Sequence, residues 1–451
     1  MTQKRMVGLL LVLLSGGLSV IWGFDLERAS SVGPIDFEGI YYGARCLLQD
    51  RDPYKTSEVL QVYLADGWKI ASNPDKKRVQ LSVVGLQGYL PTTYPFIAPF
   101  TMLPWKSAHL LWMILSAGSL IFSALLIWNL AAEYAPAVAV CLTGFILANS
   151  EDLLAGGNPA AITTAICVIA VWCFLRERFV WAGVLCLAAS LAIKPHDAGL
   201  VWLYFLLAGG VYRKRAVLTL VAVVVMCVPS VLWVSHVAPN WAQELHANLA
   251  AYSSRGNLND PGSANEKGPF AIVDLQSAIS IFRDDPRIYN PVTYLVCGTL
   301  LLVWTVKTIR SHPSAVRAWL ALAAIAPLSM LPVYHRLYDT KLLLLTLPAC
   351  AILWHEKGLI GRLALLINTV AFAFTGDISL ATFGLFAGRL HLSTTGIAGK
   401  ILTVLTDRPV PLILLMMSIF YLWVYVRRPP GEVTSTIAGR PNAIPIAPST
   451  T

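Results

Sequence analysis

The chain is short of charge. Of its 451 residues only 13% are Asp, Glu, Lys or Arg, about half of what a soluble domain carries. With 56% hydrophobic residues and a mean hydropathy of +0.63, apolar runs of about 16–22 residues recur along the whole length. Water cannot host that pattern, so an all-α polytopic membrane protein is the class that remains. A cysteine framework is missing as well. Cys141, Cys167, Cys173, Cys186, Cys227, Cys297 and Cys350 lie inside apolar runs, and only Cys46 lies in a polar stretch. No C-x-x-C or metal-like spacing occurs, so each reads as a small hydrophobe. Absent too are G-x-S-x-G, H-E-x-x-H and Walker patterns, which leaves hydrolases and ATP-driven pumps without support. No internal repeat is visible, although many transporter folds are built from repeats.

What the sequence does contain is ordered. Twelve spans are expected, at 6–24, 107–130, 135–149, 158–175, 179–193, 198–212, 216–235, 291–308, 315–333, 338–354, 359–375 and 410–426. Several fall short of about twenty residues, which calls for tilt, bilayer thinning or partial insertion. The net charge of +9 is carried by short basic clusters between these spans. Such clusters are the signature of cytoplasmic loops and exclude a nucleic-acid partner. Fourteen Lys and Arg residues fall on one side of the predicted topology, in clusters such as Arg213-Lys214-Arg215 and Arg427-Arg428. The short connections on the other side carry Lys194, Arg336 and Lys341. The basic side is therefore read as cytoplasmic, with both termini there. No small-x-small site follows Gly23-Phe24, so the first segment reads as an uncleaved anchor.

This topology places 25–106, 236–290 and 376–409 outside, in a single membrane domain over residues 1–428. The tail from 429 to 451, rich in Pro, Ser, Thr and Ala, reads as disordered and cytoplasmic. In the first outer segment Phe37, Ile40, Tyr41, Ala44, Leu47 and Leu48 recur at helical spacing, with Glu38, Tyr42, Arg45 and Gln49 opposite. That predicts an amphipathic helix in the outer interface, capped by Asp36 and ended by Asp52-Pro53-Tyr54. Asp36 is open to two compatible readings, a helix cap or a general base. A helix N-terminus favours the ionised form that a base needs. The second outer segment repeats the device with Trp241, Leu245, Leu249 and Tyr252, a lid or packing helix, followed by a mobile loop at 256–262.

Together these elements resemble the C-type glycosyltransferases, and more narrowly glycosyltransferase family 87, the polyprenol-phosphate-mannose-dependent type. The resemblance rests on Asp36, Tyr41, Tyr42 and Ala44 with Asp52-Pro53-Tyr54 behind them. It continues through Tyr94-Pro95, Pro99 and Leu103-Pro104, then Gly156-Gly157-Asn158, then Lys194-Pro195 closing a helix. It covers roughly residues 6–425. Gly157 departs from the family's pattern, which has Gln there, and Asp274-Leu275-Gln276-Ser277 matches its N-Q-S only loosely. The resemblance implies a C-type glycosyltransferase fold of about twelve transmembrane helices, with interfacial helices in the outer loops. It implies a polyprenyl-phosphate sugar donor, a lipid or glycan acceptor, and a location in the bacterial cytoplasmic membrane.

The segment PVYHRLYDTK, residues 332–341, puts His335, Arg336, Asp339 and Lys341 between apolar helices. Charges at membrane depth cost about 2.5–3.5 kcal/mol each, so they pair or line a cavity. The plain reading is an Arg336–Asp339 pair on one turn. The functional one is that His335 and Arg336, with Lys194, hold the donor's phosphate, since a guanidinium fork suits that anion. The resemblance favours the second. Lys194-Pro195-His196-Asp197 reads equally as a helix stop with a snorkelling lysine or as a phosphate or sugar contact. The directions of Glu151 and Asp152 are left open. Asp50-Arg51-Asp52 is formally D-x-D, a metal-holding spacing, but at a helix end before Pro53 it reads as turn chemistry.

The function expected is thus an inverting hexosyltransferase, by resemblance a mannosyltransferase. Asp36 is its base, His335, Arg336 and Lys194 are its donor-phosphate ligands, and Tyr41, Tyr42, Tyr94, Asn158 and Asp339 line its substrate cavity. No cofactor and no metal is expected. A lipid-linked-sugar flippase and a non-catalytic scaffold are the rival readings. The flippase would call for ionisable residues near span centres and broken helices.

Overall fold

A computed structural model of the protein describes residues 3–29, 34–262, 272–312, 314–376 and 396–428. The tail at 429–451, expected to be disordered, lies outside these residues, as does most of the third outer segment. Among the described residues the chain is helical, with no strand and one isolated antiparallel bridge between Ile272 and Arg336.

Helix α1 (Gln3–Ala29) leads into a loop-built region of α2 (Ile35–Leu48), α3 (Thr56–Ala65), α4 (Pro74–Gln80) and α5 (Tyr94–Thr101). The bundle continues with α6 (Trp105–Ala131), α7 (Pro136–Ala148), α8 (Glu151–Gly156), α9 (Ala160–Arg176), α10 (Val180–Ile193), α11 (Pro195–Ala208) and α12 (Gly210–Val237). Then come α13 (Trp241–Tyr252), α14 (Leu275–Ser280), α15 (Pro286–Arg310) and α16 (Ala315–Ser329). A 3-10 stretch, Leu337–Thr346, runs into α17 (Leu347–His355), followed by α18 (Leu359–Phe374), α19 (Gly396–Asp407) and α20 (Pro409–Arg427).

The twelve expected apolar segments fall largely on helices, though 198–212 crosses the break at Gly209 between α11 and α12 and 315–333 runs past the end of α16 at Ser329. Among the described residues seven helical stretches are long and apolar enough to cross a membrane, including Arg5–Ala29, Gly210–Val237 and Leu337–His355. The remaining segments form α9, α10, α11, α16 and α18, none longer than 17 residues. A 14-residue helix is about 21 Å long, less than the roughly 30 Å of a hydrocarbon core. These short helices pack against long ones, α10 on α12 and α16 on α20. Leu232, Leu295 and Leu302 on α12 and α15 are more than 60% exposed. In water such stripes would aggregate; in a bilayer they are the lipid face. Helix α16 is buried from Arg317 to Ser329, and the 3-10 stretch beside it is nearly as enclosed.

A second core stands apart from the bundle. Phe37, Tyr41, Tyr42, Tyr54, Tyr63, Tyr94 and Trp112 pack there with Val234 and Leu245 from the far end of α12 and from α13. This corrects the expected interfacial helix. Helix α2 is buried on almost every side, Glu38 and Tyr42 included, because other loop elements cover its polar face. Two glycines permit the cover: a side chain on Gly39 would stand 2.5 Å from the Val83 carbonyl oxygen, and one on Gly43 2.6 Å from Gln87 Oε1. Burial pushes Glu38 up to about 7. The second amphipathic stretch does form a helix, α13, tied down by Asn248 donating to the Tyr54 and Gln87 carbonyl oxygens.

Candidate active site

Asp36 is not the cap of α2. Pro34 takes that position and no side chain caps the helix, leaving Asp36 in the first turn. Its carboxylate is directed elsewhere: Asn158 Nδ2 donates to Asp36 Oδ2 at 2.9 Å. Asn158 is itself oriented, because its Oδ1 accepts from the Ala160 N–H at 2.9 Å. The approach depends on Gly157, whereas a side chain on Gly156 would lie in ordinary contact, 3.5 Å from Asp36 Oδ2. Gly157 ends α8 in the left-handed region at φ +65°, where a Cβ would meet Phe37 Cβ at 2.8 Å. Any side chain there would be strained, which accounts physically for the glycine in place of the expected Gln.

Burial pushes the Asp36 carboxyl above its ordinary range, while Asn158, Arg336 and Lys194 pull it back and Asp339 raises it further. A carboxylate raised by burial and held toward its ionised form by an amide donor and two cations suits a general base. The same electrostatic neighbourhood brings Asp36 together with the proposed phosphate ligands, although they lie more than 150 residues away in the chain.

Those ligands are heavily engaged. Lys194, at the α10–α11 junction, donates to Asp339 Oδ1 and lies 3.5 Å from Asp197 Oδ2. Burial opposes its charge, but these two carboxylates raise its pKa above the usual lysine range. Arg336 donates to the Leu258 carbonyl oxygen at 2.9 Å and to the Tyr334 hydroxyl, and its guanidinium lies over the Tyr334 ring. The Arg336–Asp339 relation expected on one turn runs through the backbone: Arg336 N–H donates to Asp339 Oδ2 at 2.9 Å. Asp339 therefore joins the segment carrying one cation to the side chain of the other. His335 is fully buried with Nδ1 2.9 Å from the Val333 carbonyl oxygen. Lys341 points away and donates to the Asn149 carbonyl oxygen at 2.6 Å.

The His335 loop is held by the stretch before α14. Val273 N–H donates to the His335 carbonyl oxygen and Leu275 N–H to that of Leu331. Gln276 Nε2 donates to the Pro332 carbonyl oxygen at 2.8 Å, and Asp274 caps α14 by accepting from Ser277 N–H. That segment therefore supports the site through its backbone. The loop expected to be mobile is pinned instead: Asp260 accepts from the N–H groups of Gly256 and Gly262, and Leu258 receives Arg336.

Tyr41, Tyr42 and Tyr94 are fully buried in the aromatic core. The Tyr41 hydroxyl donates to the Leu103 carbonyl oxygen, and that of Tyr42 to Asp66. The tyrosines within electrostatic reach of Asp36 are half-buried ones to which sequence reasoning gave no place in the site: Tyr89, Tyr252, Tyr334 and Tyr338. They come from three separate stretches of the chain, Tyr252 from the end of α13, and carry no shared spacing. At the D-x-D stretch, Asp52 Oδ1 accepts from Tyr54 N–H at 2.9 Å, the turn chemistry expected of it.

A family model described as Glycosyltransferase family 87 matches residues 88–331, more than half of the chain. No curated protein and no solved structure matches it.

Proposed function

The chain belongs to glycosyltransferase family 87, and from that premise we propose that this multi-pass membrane glycosyltransferase moves a hexose, mannose by family resemblance, from a polyprenyl phosphate to an acceptor hydroxyl. The fold we assign is the C-type glycosyltransferase fold with about twelve crossings. The basic connections Arg213-Lys214-Arg215 and Arg427-Arg428 support an assignment of the opposite, Asp36-bearing face to the outside of the cytoplasmic membrane.

In the proposed reaction the acceptor hydroxyl gives its proton to Asp36 as its oxygen attacks the anomeric carbon. The bond from that carbon to the phosphate oxygen breaks in the same step, inverting the configuration, and the electron pair leaves on the polyprenyl phosphate. Arg336 and Lys194 offset the charge that develops there, while His335, its Nδ1 hydrogen held by the Val333 carbonyl oxygen, adds no charge of its own. The observation that carries this reading is one half-buried carboxylate, aimed by Asn158, in the electrostatic field of Arg336 and Lys194. Asn158 and Asp339 are the lining residues that geometry favours.

Purified enzyme given a panel of labelled polyprenyl-phosphate sugars and total membrane lipid tests the assignment. Label should pass from one donor, the mannosyl one, to a new product of inverted configuration. Label that crosses the bilayer still attached to its polyprenyl phosphate would support the flippase instead.

A further inference from the structure

Beside Lys194, side chains from two loops converge on one point. His335 Nδ1 lies 2.9 Å from the Val333 carbonyl oxygen. A carbonyl only accepts, so Nδ1 carries the hydrogen and Nε2 is left with its lone pair. That buried nitrogen has no hydrogen-bond partner, and 3.6 Å away it faces Asp197 Oδ1, which also has none. The other Asp197 oxygen is occupied, by the Thr163 hydroxyl at 3.0 Å and the Lys194 ammonium at 3.5 Å. His196 Nε2 stands 3.6 Å from the same Oδ1. Two buried polar atoms, His335 Nε2 and Asp197 Oδ1, thus face each other without a hydrogen-bond partner, a costly arrangement, and a second imidazole nitrogen stands beside them.

Spacing indicates what belongs there. Ligands about 2.0–2.2 Å from a tetrahedral ion stand about 3.4 Å apart. Both edges at Asp197 Oδ1 are 3.6 Å, and the three donor atoms lie within 4.8 Å of one another. Val333 on the far nitrogen of His335, and Thr163 on the far oxygen of Asp197, are the outer partners that orient metal ligands. Charge agrees: Asp197 and Asp339 both face Lys194, so two carboxylates surround one ammonium.

We propose that His196, Asp197 and His335 bind one divalent transition-metal ion of the zinc class. Two imidazoles and one carboxylate suit zinc or cobalt, whereas magnesium and calcium favour all-oxygen shells. The site keeps a position open past His196, whose side chain is 39% exposed. This departs from the metal-free expectation of the sequence. If the donor reading above holds, the ion adds positive charge beside the cations assigned to the leaving phosphate; metal binding itself does not rest on that reading.

The test uses the full-length enzyme in detergent, stripped with a chelator and reloaded with Zn²⁺ or Co²⁺. Elemental analysis should find about one zinc per chain, and cobalt should give the visible bands of a low-coordinate N/O site. Zinc should also raise the unfolding temperature. His196→Ala removes a half-exposed ligand, so it should fold and lose the metal. Thr163→Val should weaken zinc binding about 10–100-fold. Excess magnesium should not displace zinc. Less than about a tenth of an equivalent of zinc in folded enzyme, or full retention by His196→Ala, would overturn the proposal, because an ion held by only three protein ligands depends on each of them. None of these readouts involves sugar transfer, so failure here is separate from failure of the glycosyltransferase reading.

Discussion

Asn158 donates its side-chain amide to Asp36 across 2.9 Å, joining the first turn of α2 to the loop that opens α9. The bond fixes the direction of one carboxylate oxygen and favours its ionised form against the burial that raises it. A base must be ionised, so activity should fall as the pH drops through the Asp36 pKa.

Replacing Asn158 with alanine removes an interaction that favours the anion. Hydrogen bonds to charged groups are worth about 1.5–3 kcal/mol, and one pKa unit is about 1.4 kcal/mol. The acid limb of the kcat/KM profile should therefore move up by about one to two units. An unchanged acid limb in the variant would detach Asn158 from the base.

Lys194 sits between two buried carboxylates. Lys194→Met leaves both without their cation, and breaking a buried pair costs about 3–5 kcal/mol. Thermal unfolding in detergent should show a large loss of stability. Adding Asp339→Asn to the same chain should restore part of it, since the two residues share one interaction. Strictly additive losses would count against the pairing.

Gly157→Ala places a Cβ at a left-handed backbone position and 2.8 Å from Phe37 Cβ. The left-handed conformation alone costs about 1–2 kcal/mol. The contact joins the two segments that carry Asp36 and Asn158, so kcat should fall more than unfolding temperature alone explains. Gly118→Ala meets nothing within 4 Å and serves as the control, expected to behave as wild type.

The membrane helices were legible because a bilayer imposes the same demand on every crossing: a long apolar run with its backbone bonds satisfied internally. Hydropathy alone therefore located α1, α6, α12 and α20. The burial of α2 was not legible. Its spacing is that of an interfacial helix, and only Gly39 and Gly43, read together with Val83 and Gln87 far along the chain, show that protein covers the other face. The charged residues of the site announced themselves, since Asp36, Lys194, His335 and Arg336 are conspicuous in so apolar a chain. Their pairings did not: Asn158 and Asp339 stood out as cavity residues and Thr163 did not, but all three act through contacts spanning up to 145 residues, and no local pattern records them. Aromatic spacing misled in the same way: Tyr41 and Tyr42 stand near Asp36 in sequence but pack into the core, while Tyr89 and Tyr252 reach its surroundings from other stretches of the chain.

The account stands or falls with Asp36. Asp36→Asn keeps the size of the side chain and removes its ability to take a proton. In an assay following transfer of labelled mannose from a polyprenyl phosphate, turnover should fall by about 10²–10⁴-fold, with the unfolding temperature and donor binding retained. Turnover at the wild-type rate in that variant would contradict the assignment of Asp36 as the base.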